Sequence, residues 1–274
     1  MRLMRGLLAT VAGLVAVVAL AVALPAAWTS TYVDDQEGFV SLSRDVTGTA
    51  EVRESAAALV ADRLVEQAGL PSEVAESGRR LLEQAADRAL ADRRVAAAWE
   101  ETLRRAHAAL LDDPGTGSAP STVPLDLAPL AALVADRSDG LVQAPDQLVV
   151  EVAGGPSGTT LRAVDASPRL ALGAGAAALV AAVVALLAAR RRSVALVWLG
   201  IGAAGAAGAD AALARLVRDR AVSDAGASGL QVDLLRALAD VGVTSFDGWL
   251  VWTALGGAVA VVLGVVGALV GRRA

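Results

Sequence analysis

The sequence predicts a mainly α-helical fold: a four-span transmembrane helix bundle with a mostly helical extracytoplasmic domain, which can accommodate one β-hairpin. Three observations predict it. The 274 residues are 55% hydrophobic with a mean hydropathy of +0.55, well above an ordinary soluble domain. Four apolar runs reach or approach the roughly 20 residues that a helix needs to cross a bilayer. Arginines cluster at the ends of these runs.

The transmembrane helices are predicted at residues 7–27, 170–189, 194–209 and 249–270. The third is the shortest, because Asp210 ends its apolar run, but a chain that has just crossed the bilayer must return or leave that run in water. The first could instead be a cleaved secretory signal. Its apolar core is longer than the roughly 7–15 residues of a signal peptide, which favours an uncleaved anchor.

Basic residues near spans are retained on the cytoplasmic side of the membrane. The arginine clusters lie in the N-terminus 1–6, the turn 190–193 and the C-terminus 271–274. Their members are Arg2 and Arg5, then Arg190, Arg191 and Arg192, then Arg272 and Arg273. With four spans, all three clusters fall on the same side of the membrane. The predicted outer segments, 28–169 and 210–248, hold all 29 acidic residues and the other 17 of the 24 arginines, a formal charge of −12. The sequence therefore predicts a multi-pass protein of the cell membrane with both termini cytoplasmic.

Aromatic residues agree with this topology, since amphipathic rings prefer the headgroup region. Trp28, Tyr32, Trp249 and Trp252 fall at the predicted outer boundary, and Trp198 falls near the inner one.

Gly200, Gly202 and Gly205 have the spacing of a dinucleotide-binding loop. Such a loop joins a strand to a helix, whereas an arginine turn and an apolar helix precede these glycines. Asp210 is also too close to be the ribose-binding acid expected about 20 residues later. We therefore predict no nucleotide and no cofactor.

Small residues instead let helices pack closely in lipid. The predicted helix-packing residues form one stripe at Gly200, Ala204 and Gly208 and another at Gly256, Ala260 and Gly264; a further stripe is Gly173, Ala177, Ala181 and Ala185.

The larger outer segment is predicted to contain helices at 49–68, from Ser72 onward, at 94–111 and at 127–137, with a loop or linker at 112–124. The second helix should bury Val74, Leu81, Leu82 and Ala85, and Trp99 should anchor the core. Two β-prone runs, 147–153 and 159–164, flank a glycine-rich turn and suggest a hairpin.

The smaller outer segment contains two candidate amphipathic helices, "DAALARLVRDRAV" and "GLQVDLLRALADVGV". The latter could lie on the membrane surface or dock on the larger domain. Anionic lipid attracts basic helices, so the acidic outer surface favours docking.

Catalytic chemistry finds little support. His107 is the single histidine, it lies at the margin of an apolar stripe, and there is no cysteine, so we predict a structural histidine and no metal site. The acids Asp34, Asp35 and Glu37 are interpreted as solvated charge at a membrane exit, and the adjacent pairs Glu100 with Glu101 and Asp112 with Asp113 make poor acid/base pairs.

Transport is disfavoured because the predicted spans lack ionisable groups. Asp210 and Asp247 occur only at outer ends, where they could pair with Arg215 or cap helices. The absence of these groups does not exclude an oligomeric pore lined by backbone and small side chains.

The segment "TYVDDQEGFVSLSRDVTGTAEVRESAAALVADRLV", residues 31–65, together with the order of the spans, resembles a group of uncharacterised actinobacterial integral membrane proteins. They have an N-terminal anchor, a helical extracytoplasmic domain and further C-terminal spans. The group carries no assigned activity, so the resemblance implies a layout and transfers no functional residues.

The sequence thus predicts a non-enzymatic cell-envelope component that binds, senses or scaffolds through its outer domain. Its predicted partners are the lipid bilayer and an envelope or membrane protein contacted by residues 28–169, with no nucleic acid. The alternative is an accessory subunit of a membrane transport complex.

Overall fold

A computed structural model of the chain describes residues 2–47, 58–66, 72–90, 94–111, 122–138, 142–153, 157–224 and 230–270. The mainly α-helical prediction is confirmed. The helices are α1 Arg2–Thr29, α2 Gln36–Thr47, α3 residues 58–66, α4 Ser72–Leu90, α5 Arg94–Leu111, α6 Ala128–Asp136, α7 Gly158–Ala188, α8 Arg192–Asp224 and α9 Leu230–Val270, with a π-helical turn at Ser30–Asp34 after α1. The strands β1 Thr122–Asp126 and β2 Val149–Ala153 form a two-stranded antiparallel sheet.

The chain divides into two compact units, each assembled from separate segments. The first, here the span unit, comprises Met1–Asp34, Ala163–Asp219 and Gly242–Ala274. The second, here the polar unit, comprises Asp35–Arg162 and Arg220–Val241.

Four helices are long and apolar enough to cross a membrane, at Met4–Asp34, Gly158–Ala188, Arg192–Ser223 and Arg236–Val270. These are the helices of a multi-pass membrane protein. They are longer than the apolar runs. Helix α8, for example, continues past Asp210 because no proline or glycine interrupts residues 209–224. The two stretches predicted as separate amphipathic helices are therefore continuations: the first is the end of α8, and the described part of the second is the start of α9.

Within the span unit, α8 and α9 run antiparallel in close contact. A Cβ placed on Gly257 would lie 2.7 Å from the carbonyl oxygen of Gly200, and a Cβ on Gly264 would lie 2.6 Å from that of Ser193. The two contacts are seven residues apart on each helix, so they recur on one face after two turns. Only glycine allows backbones to approach this closely.

Helices α1 and α8 run parallel to each other. A Cβ on Gly13 would lie 4.0 Å from Leu199 Cδ2, and one on Gly202 would overlap Val17. Contacts therefore advance in the same direction along both helices. This order places the start of α1, the start of α8 and the end of α9 at one end of the span unit.

The polar unit has its own hydrophobic core. Trp99 is 2% exposed at its centre, as predicted. Most of the remaining core residues come from α3 to α6 and both strands, and include Val60, Leu64, Leu82, Ala86, Leu125, Leu130 and Val150. Ala237, Leu238 and Val241 at the start of α9 pack against this core, which confirms the favoured docking of that segment.

Helical periodicity located the polar-unit helices well. Helix α5 has the predicted bounds, 94–111, and α6 lies within the predicted 127–137. Of the residues predicted to be buried on α4, Leu82 and Ala85 are buried, whereas Leu81 is 48% exposed. The side chain of Val74 lies outside the described part of the chain, as does most of the helix predicted at 49–68.

The predicted β-hairpin is wrong in its second strand. β2 pairs with β1, with Leu125 opposite Val150, although 112–124 was predicted as a loop. Residues 159–164 instead begin α7, because Ser157 Oγ accepts a hydrogen bond from the Thr160 amide (3.2 Å) and caps the helix. The cap and the long apolar run that follows outweigh the β propensity of the threonines.

Candidate functional site

The candidate site lies in the span unit and consists of a cluster of aromatic residues and, on the helix packed beside it, one buried carboxyl group. Trp28 and Tyr32, in α1 and the turn after it, have ring centroids 5.8 Å apart. Trp28 also lies 5.7 Å from Phe246, and Tyr32 lies 6.2 Å from Trp249, both on α9. The Trp28 indole N–H donates to Ser245 Oγ at 3.2 Å. Rings predicted as separate interface anchors thus pack together and join α1 to α9.

Asp210 lies on the face of α8 that meets this cluster. Ala207 and Ala214, three residues before it and four after, share its helical face. Both belong to the small core formed with Phe246, Leu250 and Trp28. Asp210 is itself only 7% exposed, and its Oδ2 has no hydrogen-bond partner.

The partner predicted for Asp210 is taken by another acid. Arg215 Nη2 lies 3.0 Å from Asp247 Oδ2, joining α8 to α9. Asp247 is therefore paired in the predicted way, while Asp210 neither pairs with Arg215 nor caps a helix, since α8 extends from Arg192 to Asp224. Sequence reasoning missed this site because it ended the span where the hydropathy run ends.

An ionisable group in such a position has a limited range of chemical roles. A charged carboxylate among apolar side chains is costly unless a donor or a cation compensates it. Inside membranes such residues face the bundle interior and pair with other groups or mark ion pathways. The unused oxygen of Asp210 is thus an acceptor for a hydrogen-bond donor or a cation.

The predicted helix-packing residues fall into two groups. Gly200 and Gly264 lie at the α8–α9 contact, and the amide nitrogen of Ala204 would lie 3.4 Å from a Cβ on Gly257. At Gly208 and Gly256 an added Cβ would meet no atom within 4 Å, and both residues are exposed. Ala260 is half-buried. The close approach on α9 therefore uses Gly257, the neighbour of the predicted Gly256.

Of the arginines predicted to set topology, those that the structure describes lie at one end of the span unit. Arg190, Arg191 and Arg192 are exposed at the turn between α7 and α8. Arg272 and Arg273 lie outside the described residues.

Other residues considered for catalysis or metal binding make structural contacts within the polar unit. His107 is buried, with its ring centroid 5.2 Å from that of Phe39. Asp35 Oδ1 accepts the Gly38 amide at 2.7 Å and caps α2, and Glu100 forms an ion pair with Arg44 at 2.7 Å. In the described ranges no group of three or more His, Cys, Asp or Glu residues could hold a metal ion.

The carboxylate of Asp126, in the polar unit, accepts three hydrogen bonds. Its Oδ1 accepts the amides of Ala128 and Leu148, each at 3.0 Å, and its Oδ2 accepts Arg105 Nη1 at 2.7 Å. Partial burial, the largest single influence, raises the pKa of Asp126, but the two amides and the guanidinium together outweigh it, so the pKa is lowered. One carboxylate thereby joins β1 to α5, to α6 and to the residue before β2.

Comparison of the chain with protein-family models, curated proteins and solved structures finds no match.

Proposed function

We propose that the chain is an integral protein of the cell membrane, with both termini in the cytoplasm, which binds or senses a partner through its polar unit without catalysing a reaction. One observation carries the proposal. Most of the two acid-rich segments predicted to lie outside the membrane folds into one unit with a hydrophobic core of its own. A separately folded unit attached to four apolar helices suits recognition at a membrane surface.

The orientation is supported by the placement of the arginines. The turn that contains Arg190 to Arg192 lies at the end of the span unit where α1 begins and α9 ends, and basic residues are retained in the cytoplasm. The polar unit is then extracytoplasmic, and the resemblance to uncharacterised actinobacterial integral membrane proteins with a helical extracytoplasmic domain fits the same topology.

The absence of cysteine from the sequence allows a direct test of orientation. Single variants Ser77→Cys, exposed on α4, and Ala189→Cys, at the arginine turn, would be treated with a membrane-impermeant maleimide on intact cells. We expect Ser77→Cys to react at once and Ala189→Cys to react only after permeabilisation. The reverse pattern would overturn the proposed topology.

Binding would be tested by photo-crosslinking in native membranes. A photoreactive residue at Leu81 or Val149, apolar side chains that the polar unit exposes, is compared with one at Trp252 on α9. We expect one recurrent protein adduct from the polar-unit positions and none from Trp252. Equal background from all three positions, or turnover by the purified protein that depends on His107, would contradict the proposal.

Asp210 favours a second candidate, an accessory subunit of a membrane transport complex. A buried carboxyl oxygen without a partner is the kind of group that a neighbouring subunit or a transported cation could satisfy. Asp210→Asn would then dissociate the complex or abolish its flux, while Asp219→Asn, on the exposed end of α8, would not. Intact assembly and flux in Asp210→Asn would remove this candidate.

A further inference from the structure

A groove of about 1170 Å³ runs along the span unit between α1 and the α7–α8 turn. Its α1 wall combines the small residues Gly6, Ala9 and Gly13 with Leu14 and Val17. The opposite wall is apolar and includes Val194 and Trp198 of α8. Binding sites for drug-sized molecules occupy about 300–1,000 Å³, so the groove has room for a long, flexible ligand.

One end of the groove is cationic. Arg190 and Arg191 line it, and both side chains are exposed. The sequence has no acidic residue from 166 to 209 or from 1 to 33, and the described residues provide neither arginine with an ion-pair partner. Two adjacent guanidinium groups with free donors suit a phosphate, which they can bind with paired hydrogen bonds.

The apolar wall and the cationic end occur in the order found in a membrane lipid. Trp198, which is 67% exposed, lies about two turns along α8 from the arginines, so an apolar chain extending from a phosphate at the turn would pass its ring. Basic pockets between membrane helices are known to bind anionic lipid head groups. A free anion would use the arginines but leave the apolar wall without a role.

We propose that this groove binds one anionic glycerophospholipid, with its phosphate on Arg190 and Arg191 and one acyl chain between α1 and α8. The site requires only that the four helices cross the membrane, and it holds whatever the polar unit binds. The lipid would fill the space that the small residues of α1 leave and would tie α1 to the arginine turn.

Native mass spectrometry of the full chain in detergent, titrated with phosphatidylglycerol or phosphatidylcholine, tests the head-group part. We expect wild-type protein to prefer phosphatidylglycerol by about tenfold, because each basic residue adds to anionic-lipid affinity. Arg190→Gln with Arg191→Gln should reduce the preference to within about twofold. The control, Arg218→Gln with Arg220→Gln at the other end of α8, removes the same charge and should keep the tenfold preference for phosphatidylglycerol. Equal preference in the two double variants would overturn the proposal.

Gly13→Leu tests the acyl-chain part. An added Cβ there meets only Leu199 Cδ2 at 4.0 Å, so a larger side chain enters the groove without displacing a helix. We expect this variant to bind phosphatidylglycerol about tenfold more weakly, since the chain loses its apolar contact. Unchanged affinity, or displacement of the lipid by millimolar inorganic phosphate alone, would show an anion site rather than a lipid site.

Discussion

The contact between Gly200 and Gly257 makes a sharp prediction, because an almost identical control lies one residue away. Gly257→Ala puts a methyl group 2.7 Å from a carbonyl oxygen, and backbone atoms cannot rotate aside. The helices would have to separate by about 0.7 Å to restore an ordinary contact of about 3.4 Å, and overpacking of this kind costs about 1–3 kcal/mol.

Gly256→Ala carries the same change in helix propensity but meets no atom within 4 Å. The propensity effect therefore cancels when the variants are compared, and we expect Gly257→Ala to be less stable than Gly256→Ala by about 1–3 kcal/mol. Unfolding in mixed detergent micelles with increasing dodecyl sulfate, followed by circular dichroism, measures the difference. Equal stability, or lower stability of Gly256→Ala, would refute the assigned α8–α9 contact.

Two further predictions concern the polar unit. Asp126→Asn should lower the free energy of unfolding by roughly 1–3 kcal/mol at pH 7, because it removes a charge-assisted network. Since folding lowers the pKa of Asp126, its contribution to the free energy of unfolding is present above the unfolded pKa of about 3.9 and is lost as the pH falls through the folded pKa. The free energies of unfolding of the variant and the wild type, measured in urea, should therefore converge between pH 7 and pH 3. A constant difference between them would contradict this. Trp99→Ala should lower the free energy of unfolding by about 3–5 kcal/mol in the same urea assay, whereas Trp252→Ala, at a ring that is 76% exposed, should lower it far less. Similar losses in the two variants would argue against the described core.

Periodicity within one helix was enough to predict α5 and the burial of Trp99, because both depend on neighbours three and four residues apart. The strand pairing was not predictable in this way. β1 contains Pro124, the sequence before it is rich in Gly, Pro, Ser and Thr, and its partner β2 begins 23 residues after its last residue. Such a pairing is decided by the surrounding tertiary structure rather than by local sequence.

The candidate site shows the same division between local and nonlocal information. Small residues on α9 were recognisable, but adjacent residues on a helix point about 100° apart, so only the rotation of the helix selects Gly257 over Gly256. Asp210 was visible in the sequence as the end of an apolar run. Its burial requires α8 to continue past it, and the helix face that carries it packs in the core formed with Phe246 of α9; the composition of either segment alone reveals neither.

The seven-residue interval between the α8–α9 contacts restricts how the membrane helices can rearrange. Sliding one helix along the other by a single turn would bring side chains against the backbone at both Gly257 and Gly264. We therefore expect α8 and α9 to move as one body. Helix α7 differs, because a Cβ on its Gly173 or Gly175 would meet no atom within 4 Å. We therefore expect α7 to move independently of the α8–α9 pair, and spin labels on α7 and α8 should give a broad distance distribution beside a narrow one for α8 and α9.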